Sequence, residues 1–308
     1  MYDRIMVATD GSEVADAAVD AAVALAKRVD ADLHAVHVLE LGDLPPSAEE
    51  GEVEERRRRG EEAVAAVGER AEAAGLEPTT ALLDGGDPVP VHRSLLDYAD
   101  EHGVDCIVMG TQGHTGWERF VLGSVAERTL RESPVPVLTV HEDTPFGPAP
   151  AAGSTWEGYP GATLDRLLVP VDGSDGSAAA VDHAIDVANA TGADLHLLHV
   201  VDVSVAATGN AGLVLKRLEE AGERVLGEAV AKAKDAGLSE DRVGTSIVRG
   251  APYQSIVDYA SDHEVDCIVM GTHGRTGLKR YLLGSVTERT VRLADRPVLS
   301  VGAPLDGE

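Results

Sequence analysis

Short apolar runs alternate with longer segments of helical periodicity along this chain. Arg4–Ala8 reads as a strand, broken by Thr9-Asp10-Gly11-Ser12. From Glu13 to Val29 the apolar positions Val14, Ala17, Ala18, Ala21 and Leu25 recur at helical spacing, with Ser12 placed as the N-cap. Asp32–Leu39 is a second strand, and residues 41–51, with Pro45 and Pro46, form a polar connection. A charged helix is predicted over Val53–Ala74, its Glu-Glu-Arg-Arg-Arg-Arg run a solvated face with i,i+4 pairing. A strand near Thr79–Leu83 and the turn Gly86-Asp87-Pro88 follow, with the proline suited to the first turn of a helix over Val89–His102. Cys106–Met109 is a strand, Ser124–Arg131 a helix and Pro136–Val140 a fifth strand.

The same order then recurs. Arg166–Val171, the turn Asp172-Gly173-Ser174, a helix to Thr191, strand Asp194–Val201, helix Gly212–Ala236 and strand Val243–Val248 match the first half. Gly250-Ala251-Pro252 is the counterpart of Gly86-Asp87-Pro88, and strands Cys267–Met270 and Pro297–Val301 flank a helix over Ser285–Arg292. Residues 104–131 and 265–292 are identical at 20 of 28 positions. The offset between copies, 162 at Asp10/Asp172 and 161 at Gly110/Gly271, is too long for a solenoid and marks duplicated domains. We expect domains over 1–141 and 164–308, joined by a Pro-, Gly- and Ala-rich linker over 142–163. Strand–helix alternation implies an α/β fold, a parallel sheet with helices on both faces. Ligands in such folds sit beyond the carboxyl ends of the strands, at the topological switch point, where Thr9-Asp10 and Gly110 both fall.

Composition narrows the function. Aromatics are 3% of residues, so the cores are aliphatic. The formal charge is −27, from 53 acidic and 26 basic residues, with lysine only at 27, 216, 232, 234 and 279. Such a surface repels nucleic acid. It resembles proteins of salt-loving microbes, so self-repulsion at low salt should weaken the fold. Cys106 and Cys267 occupy equivalent strand positions and read as core hydrophobes. With no run of about 18 apolar residues and no N-terminal targeting pattern, a soluble, cytoplasmic protein is expected. His34/His37 and His196/His199 are three apart in strands and point to opposite faces, so neither pair should share a metal ion. No catalytic constellation can be assembled from these residues.

The candidate chemistry is a phosphate cradle that occurs twice. Gly110-x2-Gly113-x9-Gly123-Ser124 and Gly271-x2-Gly274-x9-Gly284-Ser285 each follow a strand and open a helix. Glycines let backbone N–H groups approach an anion, and the helix N-terminus adds unpaired N–H groups and partial positive charge. Neither Gly-x-Gly-x-x-Gly after the first strand nor Gly-x4-Gly-Lys-Ser/Thr is present.

This spacing, with Asp-Gly-Ser after the first strand, resembles the universal stress protein family over both halves of the chain. The resemblance implies two flavodoxin-like (Rossmann-like) domains with sheet order 3-2-1-4-5 and, in the ATP-binding branch, a nucleotide in each. It implies binding by Ala8, Thr9, Asp10, Val38, Met109, Gly110, Gly113, Gly123, Ser124 and Val125 in the first domain. In the second it implies Pro170, Val171, Asp172, Val200, Met270, Gly271, Gly274, Gly284, Ser285 and Val286. Val38 and Val200 would offer main-chain groups to adenine, and the glycines would wrap the phosphates. Asp10 and Asp172 would serve the ribose, or the phosphates through Mg²⁺ brought with ATP. Position 114 is His where 275 is Arg, so Arg275 gives the second loop a permanent charge and that site should bind ATP at least as well. Arg119 and Arg280 are shared, with direction open. The resemblance further implies an intramolecular pseudo-dimer through the fifth strands, with homodimerisation as a further step. Three readings stay open: an ATP-binding stress or signalling module with at most slow ATP hydrolysis, a nucleotide-independent scaffold acting by dimerisation, and an ATP-using transferase or ligase.

Overall fold

A computed structural model describes residues 1–40, 50–85, 89–112, 122–141, 144, 164–206, 211–274 and 283–302. The chain divides into two compact units, Tyr2–Thr163 and Leu164–Glu308. In the first, the elements run β1 (Arg4–Ala8), α1 (Glu13–Val29), β2 (Asp32–Glu40), α2 (Glu50–Ala73), β3 (Thr79–Gly85), α3 (Val91–Glu101), β4 (Cys106–Gly110), α4 (Ser124–Glu132) and β5 (Val137–Val140). Its strands lie in the order β3-β2-β1-β4-β5 and every pair is parallel.

The second unit comprises β6 (Arg166–Pro170), α5 (Asp175–Thr191), β7 (Asp194–Asp202), α6 (Ala211–Asp235), β8 (Val243–Gly250), α7 (Pro252–Asp262), β9 (Cys267–Gly271), α8 (Ser285–Leu293) and β10 (Val298–Val301). Its order, β8-β7-β6-β9-β10, is the same and again all parallel. Two short 3₁₀ turns, Val203–Ala206 and Glu240–Arg242, are additions that periodicity did not reveal.

The strands are apolar almost throughout because helices cover both faces of the sheet. Ile5, Met6, Val7, Ile107 and Val108 are fully buried, as are Leu167, Leu168, Val169, Ile268 and Val269. Right-handed crossovers place α1 and α2 on one face and α3 and α4 on the other. Alanine at 18, 21, 22 and 26 lets α1 approach the sheet closely. On α2, Arg58 pairs with Glu55 and Glu62, and Arg59 with Glu55, on a solvated face as expected.

Two boundaries need correcting: α2, expected from Val53 after a connection over 41–51, already begins at Glu50, and α3 begins later than expected. The helix expected from Val89 begins at Val91, with Pro90 as an extended N-cap at φ −67° and ψ 146°. Val89 is exposed and belongs to the connection, so its apolar character misled the periodicity. The second copy starts as expected, with Pro252 in the first turn of α7. Gly86-Asp87-Pro88, residues 41–49 of the expected connection and, apart from Thr144, the linker over 142–163 lie outside the described residues.

Candidate functional site

In each unit β1 and β4, or β6 and β9, are neighbours whose chains leave in opposite directions, so a crevice opens beyond their carboxyl ends. One wall is the turn after the first strand. The Thr9 N–H donates to the Val36 carbonyl at 3.0 Å, the last bond between β1 and β2. Gly11 then turns the chain at φ +75°, a conformation that favours glycine. Its N–H donates to Thr9 Oγ1 at 3.2 Å, and the Ser12 N–H to Asp10 Oδ1 at 3.0 Å. Ser12 Oγ accepts from the Ala15 N–H at 3.2 Å, which makes it the α1 N-cap that the sequence called for.

The second copy has the same turn with different supports. The Val171 N–H donates to the Leu198 carbonyl at 2.8 Å, and Gly173 sits at φ +79°. Asp172 Oδ1 accepts from both the N–H and the hydroxyl of Ser174, at 2.9 and 2.6 Å. Val171 has no hydroxyl for the Gly173 N–H, which donates instead to Ser177 Oγ on α5 at 3.1 Å.

The other wall is the base of the glycine loop. Thr111 continues β4, its N–H donating to the Val140 carbonyl at 3.0 Å, and its own carbonyl accepts from Gly123 N–H at 2.8 Å. Gly123 is the extended N-cap of α4, so Ser124 is the exposed first residue of the helix. Thr272, Gly284 and Ser285 repeat this, with Gly284 N–H to the Thr272 carbonyl at 2.8 Å. Each loop is thus pinched shut at its root, which aims the first N–H groups of α4 and α8 towards the crevice.

In the second unit the walls meet. A Cβ added at Gly274 would stand 3.2 Å from Asp172 Oδ2, and one at Gly284 would stand 3.2 Å from the Thr272 carbonyl oxygen and 3.6 Å from the Gly274 nitrogen. Asp172, Gly274 and Gly284 therefore line one crevice. Gly271 packs backbone to backbone against Gly176 of α5, where a Cβ would come within 2.5 Å of the Gly176 carbonyl. In the first unit Val14 occupies that place, its Cγ1 2.8 Å from where a Gly110 Cβ would be. Gly113, His114, Arg119, Arg275 and Arg280 lie outside the described residues.

The remaining expected residues sit on the same rim. Ala8 ends β1 and Met109 is the penultimate residue of the neighbouring β4; Pro170 and Met270 hold the same places in β6 and β9. Val125 and Val286 are the second residues of α4 and α8. The Val36 carbonyl points at β1, and backbone direction alternates along a strand, so the main chain of Val38 points the same way, past the end of β1. By the same count Val200 faces past the end of β6.

Three participants escaped sequence reasoning. His37 Nδ1 lies 2.8 Å from the Thr9 carbonyl and His199 Nδ1 2.7 Å from the Val171 carbonyl; a carbonyl only accepts, so each ring donates from Nδ1. Thr287 Oγ1 donates to the Gly271 carbonyl at 2.8 Å, where the first copy has Ala126. The histidine at the end of each i,i+3 pair was the only hint in the sequence.

The other histidine of each pair, His34 or His196, lies on the opposite face of the sheet. His34 Nδ1 is 2.9 Å from the Tyr98 hydroxyl on α3, and burial, with His102 adding to it, holds its pKa below the ordinary value. His196 is lowered by burial and then by Arg166 and His263. Burial pushes the Cys267 thiol up to about 12, so it is an inert core group; Cys106 is buried as well. Among the described residues, no helix is long and apolar enough to cross a membrane.

Comparison with known proteins agrees with this architecture. The universal stress protein family matches residues 1–141 and again 163–302. The universal stress protein MJ0531 of Methanocaldococcus jannaschii is 39% identical over 143 residues, covering 45% of this chain and 82% of that protein. A universal stress protein of Mycolicibacterium smegmatis is 29% identical over 307 residues, 96% of each chain. The solved structure of a universal stress protein from Archaeoglobus fulgidus superposes with a TM-score of 0.68 at 24% identity, covering 99% of this chain and 97% of that one. A flavodoxin-like unit repeated twice, with family matches over both repeats, places this chain in the universal stress protein family as a tandem member.

Proposed function

We propose that each unit binds ATP in the crevice between the aspartate turn and the glycine loop, and that the chain acts as a nucleotide-responsive module in stress signalling. The observation that carries this is the convergence of Asp172, Gly274 and Gly284, with the α8 N-terminus opening at the same point. Glycine at 274 lets the backbone approach phosphate oxygens with no side chain in the way, and the helix end beyond Gly284, whose own N–H goes to the Thr272 carbonyl, supplies N–H groups. Main-chain groups of Val38 and Val200 lie at the height where a planar base would meet the sheet edge. Asp10 and Asp172 stand between base and phosphates, suited to ribose hydroxyls or to Mg²⁺ carried by the nucleotide. Ser124 and Ser285, exposed on the first helical turn, add hydroxyl donors.

The test is isothermal titration with ATP, AMP and inorganic phosphate in molar KCl. Two equivalents of ATP, with weaker AMP and weaker phosphate, are expected, because the loop and the strand ends each supply part of the affinity. An absence of ATP binding overturns the proposal and leaves the nucleotide-independent scaffold.

A further inference from the structure

We infer that His37 and His199 are positioning residues that hold the nucleotide crevice open by replacing a rung of the sheet. The inference rests on the nucleotide-site reading above and adds to it the device that splits the first strand from the second.

In a parallel pair the N–H bonds to one residue of the neighbour and the carbonyl to the residue two further on. With Thr9 N–H on the Val36 carbonyl, the next rung would run from Val38 N–H to the Thr9 carbonyl. The His37 imidazole takes that carbonyl instead, at 2.8 Å. In the second unit Val171 N–H meets the Leu198 carbonyl, and the rung from Val200 N–H is taken by His199 at 2.7 Å. Each ring therefore satisfies the carbonyl just before the aspartate and leaves the valine N–H directed at the crevice, where an acceptor nitrogen of a planar heterocycle can receive it.

Both rings fit only because a helix opposite each lacks a side chain. A Cβ at Gly60 of α2 would lie 2.7 Å from His37 Cδ2 and 3.1 Å from Nε2, and one at Gly222 of α6 would overlap His199. Glycine inside a long helix costs about 1 kcal/mol relative to alanine, and here it occurs in both copies opposite the same ring.

The experiment compares His37→Leu and His37→Asn, and likewise at His199, by ATP titration and by amide exchange of Val38 and Val200 without nucleotide. Leucine fills the space with no donor, so the backbone rung should close. Val38 or Val200 should exchange more slowly, and ATP affinity at that site should fall about tenfold, the equivalent of one lost hydrogen bond. Asparagine, whose amide sits near the place of Nδ1, should restore wild-type exchange and most of the affinity. Wild-type exchange and affinity in the leucine variants would overturn the inference. If His37→Leu fails to fold, Gly60→Ala displaces the same ring and must slow Val38 exchange. Slower valine exchange in a protein that binds no ATP even as wild type would sink the nucleotide reading and uphold the histidine role.

Discussion

The two copies build one turn with hydrogen bonds drawn from opposite sides. In the first, the Gly11 amide is met by Thr9 at the strand end, and the helix offers Ala15. In the second, the strand end is Val171, and Ser177 on α5 reaches back to the Gly173 amide. The same glycine amide is bonded in both turns, but which element supplies the acceptor is free to change. The glycine loop shows a second difference. The second copy joins α5 to β9 through Gly176 and Gly271, and Thr287 ties α8 to the same carbonyl; the first copy has Val14 and Ala126 in these places. The second site is thus fastened more by backbone contact and the first more by side-chain packing.

Gly176→Val should break this contrast most severely. A Cβ there would overlap the His273 carbonyl, so loop and helix must part; a loss of about 2–3 kcal/mol in the second unit is expected by urea unfolding, with loss of one equivalent of ATP. Val14→Gly should cost about 1 kcal/mol, mainly through helix propensity and lost packing, and leave stoichiometry unchanged. Equal effects at the two positions would show that the backbone contact is incidental.

Acidification sharpens the comparison on the opposite face. His34, His92 and His196 all have pKa values lowered chiefly by burial. The folded state therefore favours neutral rings: their contribution is intact above the unfolded value of about 6.5 and is lost as pH falls below it towards the lowered values. Asp266, raised by burial, works in the other direction at lower pH. His34 meets the Tyr98 hydroxyl, whereas Tyr259 meets Ser246 and the buried Nδ1 of His196 has no hydrogen-bond partner among the described residues. Unfolding midpoints followed from pH 8 to pH 5.5 should fall, and His196→Leu should flatten that slope without the loss of a hydrogen bond that His34→Leu entails.

Smaller effects test the turn itself. Ser177→Ala should destabilise the second unit by about 1 kcal/mol, and Val171→Thr in that background should recover much of it by recreating the first copy's arrangement. Additive costs in this double-mutant cycle would deny the exchange of partners. Smallest of all, α1 ends on Asp30 at φ +57° where α5 ends on Gly192 at φ +84°. Asp30→Gly should gain about 0.5–1 kcal/mol in thermal unfolding.

Most of the fold was legible because parallel strands covered on both faces read as uninterrupted apolar runs, and Ser12 and Ser174 announce their helices. Where the sequence misled, at Val89, a single apolar side chain beside a proline mimicked helical periodicity. The site was half legible. Glycine spacing and the aspartate turn are local patterns, but His37 acts on a carbonyl 28 residues away, and Ser177 replaces a hydroxyl missing from another element. Such roles depend on which strands become neighbours.

Two like crevices, each holding one nucleotide, require a binding stoichiometry of two. The most direct test is ATP stoichiometry on wild type, Gly113→Val and Gly274→Val by equilibrium titration in molar KCl. Two equivalents in wild type and one in each variant are predicted, the Gly274 substitution acting where a Cβ would stand 3.2 Å from Asp172 Oδ2. Two equivalents in all three proteins, or none in wild type, would contradict it.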